Sequence, residues 1–102
     1  MPPEELTARD FERWAAAAAA RLRGWLPADL ETPILDMGCG DGRFLRLLEK
    51  LGYTDLTGVD LSGDAVDRAR VRCAAARLSR GDVRPFLAAR GDRFGLKVGS
   101  YK

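Results

Sequence analysis

The 102-residue sequence predicts a single α/β domain in which a short, mostly parallel sheet carries helices on both faces. Two observations predict this class. Short apolar runs at residues 33–37 and 56–60 each stop at a glycine cluster or an acidic residue, as buried strands of a parallel sheet do. Residues 43–51 and 63–76 instead place apolar side chains at helical spacing. Strands that alternate with helices indicate βαβ units, whose parallel strands are joined by crossovers.

The first helix is predicted at residues 4–26, with Thr7 or Asp10 as its N-cap. Right-handed crossovers would place the helices at 43–51 and 63–76 on one face of the sheet. We therefore expect residues 1–27 to form a covering helix on the other face. Residues 30–102 form the α/β core, and the whole chain 1–102 is one domain.

The last two strands are predicted near residues 77–82 and at residues 94–100. The final strand alternates: Phe94, Leu96 and Val98 would face one way, and Lys97 the other, between two glycines. Because a buried lysine without a partner is costly, this pattern predicts an edge strand. The expected strand order is 3-2-1-4, and the short chain is expected to be adapted to having this exposed edge.

Composition excludes several classes of function. The chain has no histidine and two cysteines, Cys39 and Cys73, without a CxxC spacing. Zinc sites and catalytic sites built on histidine therefore lack their usual residues, and we expect no metal. The N-terminus lacks the basic and apolar regions of a secretory signal, and no apolar run could span a membrane. We expect a cytoplasmic protein.

The motif with the most information is Ile34-Leu-Asp-Met-Gly-Cys-Gly-Asp-Gly42, an apolar strand that runs into three alternate glycines and then a helix. Glycines allow a tight turn and close approach of a ligand, and the helix N-terminus offers free N–H groups. A dinucleotide fingerprint needs glycine where this chain has Arg43, and no P-loop Gly-Lys-Ser/Thr follows. Asp36 and Asp41 would also repel a pyrophosphate, at a cost of about 4 kcal/mol for a clash at about 4 Å. These acids favour a ligand with an ammonium group and no phosphate.

These segments, together with Leu56-Thr-Gly-Val-Asp-Leu-Ser62 and Gly81-Asp-Val83, resemble the class I methyltransferases that use S-adenosylmethionine (SAM). The resemblance covers roughly residues 30–100 and implies a Rossmann-like three-layer sandwich. It also implies SAM as cofactor and S-adenosylhomocysteine as product. Family domains usually run to about seven strands, so the resemblance reaches only the N-terminal, cofactor-binding half, and the methyl acceptor stays unknown.

The resemblance also assigns cofactor contacts, whereas no catalytic residue is named. Gly38, Cys39 and Gly40 would line the methionine part, with Asp36 near its ammonium group. Asp60 would bind the ribose hydroxyls. The remaining predicted contacts surround the adenine or close the site: Leu61 on the ring face, Asp82 at the amino group, the Val83 N–H at the ring, and Ser100.

Each assignment has a structural alternative. Gly42 can serve helix–sheet packing, Cys39 can be a small loop filler, and Asp60 or Asp82 can cap a helix. Trp14 and Trp25 are interpreted as core or sheet-covering residues, with a substrate platform as the alternative. For the chain as a whole, the alternative to a methyltransferase is a SAM- or nucleoside-binding module without turnover.

Partners other than SAM are less defined by the sequence. The second half of the chain is rich in arginine, but it lacks stacking aromatics and any nucleic-acid motif, which disfavours nucleic acid as a partner. The exposed sheet edge would allow a homodimer, although Lys97 opposes strand pairing there.

Overall fold

The computed structural model describes residues 7–99. In chain order its strands and helices are α1 (Ala8–Leu22), β1 (Ile34–Met37), α2 (Arg43–Lys50), β2 (Leu56–Asp60), α3 (Gly63–Arg72), β3 (Arg77–Arg80), α4 (Val83–Arg90) and β4 (Leu96–Gly99). A 3₁₀ turn at Gly91–Arg93 precedes β4. The strand order is β3-β2-β1-β4 and every neighbouring pair is parallel. The predicted fold class and strand order are confirmed.

One face of the sheet is covered by α2 and α3, as the crossover rule predicts. Ile34 of β1 and Leu56 of β2 pack with Leu45 and Leu48 of α2 in a fully buried cluster. Burying such a side chain contributes roughly 1.5–3 kcal/mol. Cys73 lies in the same cluster. It is the C-cap of α3 and has non-helical backbone angles, so the third helix ends at Arg72 and not at residue 76.

The second face is covered by α4, a helix that the sequence analysis did not predict. Leu35 and Val59, on the strand positions opposite to the first cluster, pack with Val83 of α4 and with Phe94. Phe94 also stacks on Phe86, with ring centroids 6.1 Å apart. The expectation that Phe94 shares a face with Leu96 is therefore wrong, because Phe94 precedes β4 and turns toward α4.

The prediction that the first helix covers this second face is also wrong. Helix α1 packs against α2, where Phe11, Ala15 and Ala18 bury Leu47. Its thin alanine surface allows a close approach to α2, while α4 already occupies the other side of the sheet. Thr7 is the N-cap, since its hydroxyl accepts from the backbone N–H of Asp10 at 3.1 Å. The helix ends at Leu22, before residue 26.

Strand β4 lies at one border of the described sheet, next to β1. Its side chains alternate between half-buried (Leu96, Val98) and exposed (Lys97, Gly99). Within residues 7–99 this strand has one neighbour, in agreement with the predicted edge position, and Lys97 is exposed. Ser100, the last residue of the predicted strand, lies outside the described residues. Within residues 7–99, no helix is both long and apolar enough to cross a bilayer.

Candidate functional site

The glycine-rich loop at residues 38–42 connects the carboxyl end of β1 to α2. Gly40 and Gly42 adopt left-handed backbone angles, with φ of +55° and +83°. Open space surrounds Gly40, whereas a Cβ at Gly42 would lie 2.9 Å from the Cα of Ala69 in α3. The structure therefore supports the packing role considered for Gly42, and it leaves open space beside Gly40 that a ligand can approach.

Hydrogen bonds attach this loop to β2. The N–H groups of Gly38 and Cys39 both donate to the carbonyl oxygen of Val59, at 2.7 and 3.0 Å. The Asp60 carboxylate accepts from the N–H of Gly40 at 2.8 Å through one oxygen, and from the N–H of Ser62 at 2.9 Å through the other. Asp60 therefore positions the loop, and each of its oxygens retains a lone pair for a further donor. Ser62, and not Asp60, caps α3.

Asp36 is a buried acid that opens onto a cavity. It is only 4% exposed, and among residues 7–99 it has no hydrogen-bond or ion-pair partner. Burial, with a smaller contribution from the negative charge of Asp60, raises the pKa of Asp36 to about 7. An unpaired buried carboxyl is unfavourable, so this position is suited to binding a cation.

Asp41 has a different environment from the one that the sequence analysis assumed. Its carboxylate lies 2.6 Å from Arg72 and 3.5 Å from Arg43. Although burial acts to raise it, the hydrogen bond and charge of Arg72 and the charge of Arg43 hold the pKa of Asp41 below its ordinary value. The predicted repulsion of a pyrophosphate by Asp41 is therefore wrong, because two guanidinium groups balance the charge of this carboxylate. Asp36 alone retains that role.

A cavity of about 560 Å³ lies above the loop, within the usual size range of small-molecule sites. The polar side of the cavity is formed by Asp36, the glycine loop and Arg43. Its apolar side is formed by residues of α1, α2 and β4. The lining residues are Trp14, Leu22, Asp36, Gly38, Cys39, Gly40, Asp41, Arg43, Phe44, Val98 and Gly99.

The structure brings the predicted methionine-site residues together around this cavity, while the predicted adenosine-site residues lie beyond it. Leu61 is 68% exposed, Val83 is buried in the second core cluster, and Asp82 caps α4. Asp82 accepts from the Arg84 N–H at 2.9 Å, and its bonds to the Arg84 side chain and backbone lower its pKa to about 2. The capping role considered for Asp82 is therefore present in the structure.

Cys39 behaves as the small loop filler considered for it. It is 7% exposed and packs in the first core cluster. Burial, followed by the negative charges of Asp36 and Asp60, raises the pKa of the Cys39 thiol to about 12, so it is not a nucleophile at neutral pH.

Trp14, Arg43 and Phe44 are cavity residues that the sequence analysis did not assign to the cofactor site. Trp14 was placed in the core or over the sheet, and here it is half-buried on α1, with its ring 5.7 Å from the Arg43 guanidinium carbon. Trp25 is 80% exposed, so its predicted core position is wrong. In the described part of the chain, no group of three or more acidic or cysteine side chains could hold a metal ion.

Comparison with known proteins identifies the family. A family model described as "Methyltransferase domain" matches residues 34–100. The chain is 37% identical over 82 residues to dTDP-3-amino-3,6-dideoxy-alpha-D-glucopyranose N,N-dimethyltransferase of Streptomyces fradiae, covering 80% of this chain and 31% of that protein. It is 34% identical over 73 residues to malonyl-[acyl-carrier protein] O-methyltransferase of Pectobacterium atrosepticum, covering 72% and 28%.

Solved structures agree with this result. The crystal structure of an S-adenosylmethionine dependent methyltransferase from Mesorhizobium loti matches with a TM-score of 0.56 and 33% identity, over 66% of this chain and 32% of that one. The PH0226 protein of Pyrococcus horikoshii matches with a TM-score of 0.63 and 25% identity, over 78% and 38%. The chain spans about a third of the length of the curated relatives that it matches. By its sequence motifs, its strand order and these matches, the chain belongs to the methyltransferase domain family.

Proposed function

We propose that this chain is the cofactor-binding part of a SAM-dependent methyltransferase, and that SAM and its product S-adenosylhomocysteine bind at the loop 38–42. The observation that carries the proposal is Asp36, a buried carboxyl without a partner in the described chain, which lines a cavity of ligand size. The ammonium group of a methionine tail would supply the missing partner. The Mesorhizobium loti structure is titled as SAM-dependent, and a plantazolicin methyltransferase at 29% identity and a TM-score of 0.51 was crystallised with SAH, which supports the same ligand here.

Each part of the cofactor would have its own residues. Gly38, Cys39 and Gly40 would line the methionine tail, and Asp60 would accept from the ribose hydroxyls with its free lone pairs. The adenine would lie on the exposed Leu61, near Asp82 and the Val83 N–H at the open end of α4, with Ser100 as a further contact.

SAM supplies a methyl group already activated by its sulfonium. The chain's contribution is therefore to hold and orient the cofactor and to exclude water from the cavity, and no catalytic base is assigned. Trp14, Leu22 and Phe44 provide the apolar walls that exclude water.

Calorimetric titration with SAM and S-adenosylhomocysteine, followed by a methyl-transfer assay over varied acceptors, tests the proposal. We expect one site per chain for both compounds. Binding without turnover by any acceptor would favour the module that binds SAM without catalysis. Absence of binding by both compounds would refute the proposal.

The location and the assembly of the protein are separate proposals. Cys39 and Cys73 are free and buried, which is typical of a reducing compartment, and we propose a cytoplasmic location. The exposed edge of β4 supports a homodimer through that edge, and sedimentation of the wild type and of Lys97→Val tests it. If the dimer forms, removing the charge at the edge will strengthen it.

A further inference from the structure

We propose that Arg43 binds the carboxylate of the cofactor's amino-acid tail, so that the site selects cofactors whose tail is intact. This inference rests on the proposed function. A methionine tail carries both an ammonium and a carboxylate, and a site that binds it in a desolvated cavity needs a partner for each charge. Asp36 fits the ammonium. Among the described residues that line the cavity, Arg43 is the one cation.

Arg43 has binding capacity left because Arg72 is the closer partner of Asp41. Arg72 lies 2.6 Å from the Asp41 carboxylate and also donates to its carbonyl oxygen at 3.3 Å. Arg43 reaches the same carboxylate only at 3.5 Å, with one of its terminal nitrogens. A guanidinium has five N–H donors, so most of the Arg43 donors remain for a ligand. Because Arg72 already pairs with Asp41, the charge of Arg43 is only partly balanced by that carboxylate.

The aromatic ring of Trp14 helps to orient this guanidinium toward the cavity. The guanidinium carbon lies 5.7 Å from the ring centroid, within the range of a cation–π contact. The Arg43 side chain is 32% exposed, so it is partly withdrawn from water. A partly desolvated arginine binds a carboxylate more strongly than an exposed one does, and its planar fork matches the two oxygens.

The other cations of α2 have different surroundings and provide a matched control. Arg46 pairs with Glu49 at 2.7 Å and Lys50 with Glu12 at 3.0 Å. Both line a separate cavity of about 210 Å³ between α1 and α2, away from the glycine loop. Neither is placed to contact a ligand above that loop.

The test compares two ligands that differ only in the carboxylate, SAM and decarboxylated SAM, by calorimetric titration. We expect the wild type to bind SAM roughly ten- to a hundredfold more tightly than decarboxylated SAM, which corresponds to the loss of a charged hydrogen bond. Arg43→Gln should weaken SAM binding by a similar factor and leave decarboxylated SAM within about twofold of the wild type. Arg43→Lys should recover part of the affinity, and Arg46→Gln should change neither ligand.

The outcomes separate this inference from the proposed function. If the wild type binds SAM but does not prefer it over the decarboxylated compound, the role of Arg43 is overturned and the cofactor assignment stands. Equal losses for both ligands in Arg43→Gln would show that the arginine acts through the fold, which also overturns the inference. If the wild type binds neither ligand, the proposed function fails and this inference fails with it.

Discussion

The Asp60 carboxylate accepts a hydrogen bond from the N–H of Gly40 at 2.8 Å, which joins the end of β2 to the glycine loop that follows β1. The two residues are twenty positions apart in the chain. Their contact places the acid that would bind ribose directly beside the backbone that would line the methionine tail. The shape of the loop and the position of the acid are therefore interdependent.

Replacement of Asp60 by alanine should weaken SAM binding by about 1–3 kcal/mol, because a charged acceptor for the ribose hydroxyls and the bond to Gly40 are both lost. Calorimetric titration measures the change. Asp67→Ala, which removes an exposed acid from α3, is the matched control and should leave the affinity unchanged. Unchanged affinity in a folded Asp60→Ala variant would count against the assignment.

The stability of the free protein should fall as the pH rises through 7, because Asp36 must ionise in a buried position. The pKa of Asp36 is about 7 in the folded chain and 3.8 for an ordinary aspartate. At pH values between these two, the folded state therefore binds more protons than the unfolded state does. The contribution of Asp36 to the free energy of unfolding is fully present below pH 4 and is lost as the pH rises through 7. The total loss is up to ~4 kcal/mol. Urea unfolding at about pH 4.5 and about pH 8 measures most of this loss. Asp36→Asn should remove most of this slope, and Asp67→Asn should retain it.

The affinity for SAM should depend on pH in the opposite direction. The ammonium group of SAM pairs with the ionised form of Asp36, so binding must displace a proton below pH 7. Below pH 7 we expect the affinity for SAM to fall as the pH is lowered, with a limiting slope of about tenfold per pH unit. Titration in two buffers of different ionisation enthalpy will detect the released proton. A pH-independent affinity between 5.5 and 8 would contradict the role of Asp36.

Alanine at Gly42 should destabilise the fold by about 2–4 kcal/mol, since it adds left-handed backbone strain to a clash with Ala69. Gly24→Ala is the control, because Gly24 has a similar φ of +89° with no atom within 4 Å of the added Cβ. That variant should lose only about 1–2 kcal/mol. Urea unfolding measures the loss of stability in each variant. Equal losses of stability would show that the clash with α3 adds nothing to the backbone strain at Gly42.

The strands, their order and the loop could be predicted because their signals are local. Apolar runs that stop at Gly38 and Asp60 predict parallel strands. The alternating pattern of the last strand, with Lys97 at a non-apolar position, predicts an edge, and Lys97 is exposed in the structure. The right-handed crossover rule then determines which helices share a face.

Helix α4 was missed although its first turn carries recognisable signals. Asp82 is an N-cap residue and Pro85 lies in the first turn, where proline is tolerated. The sequence analysis assigned residues 77–82 and 94–100 to strands and left this segment between them unassigned. The position of α1 has no such local signal, since it depends on which surface the other elements leave exposed. Placing α1 on the wrong side also concealed the contribution of Trp14 to the cavity.

A crystal structure with S-adenosylhomocysteine bound tests the central claim most directly. We expect density for the amino-acid tail in the cavity between Asp36 and Arg43, with the ribose against Asp60 and the adenine over Leu61. Density for the adenine inside the cavity, or binding of NAD or ATP at the glycine loop in place of the sulfur compound, would contradict the account.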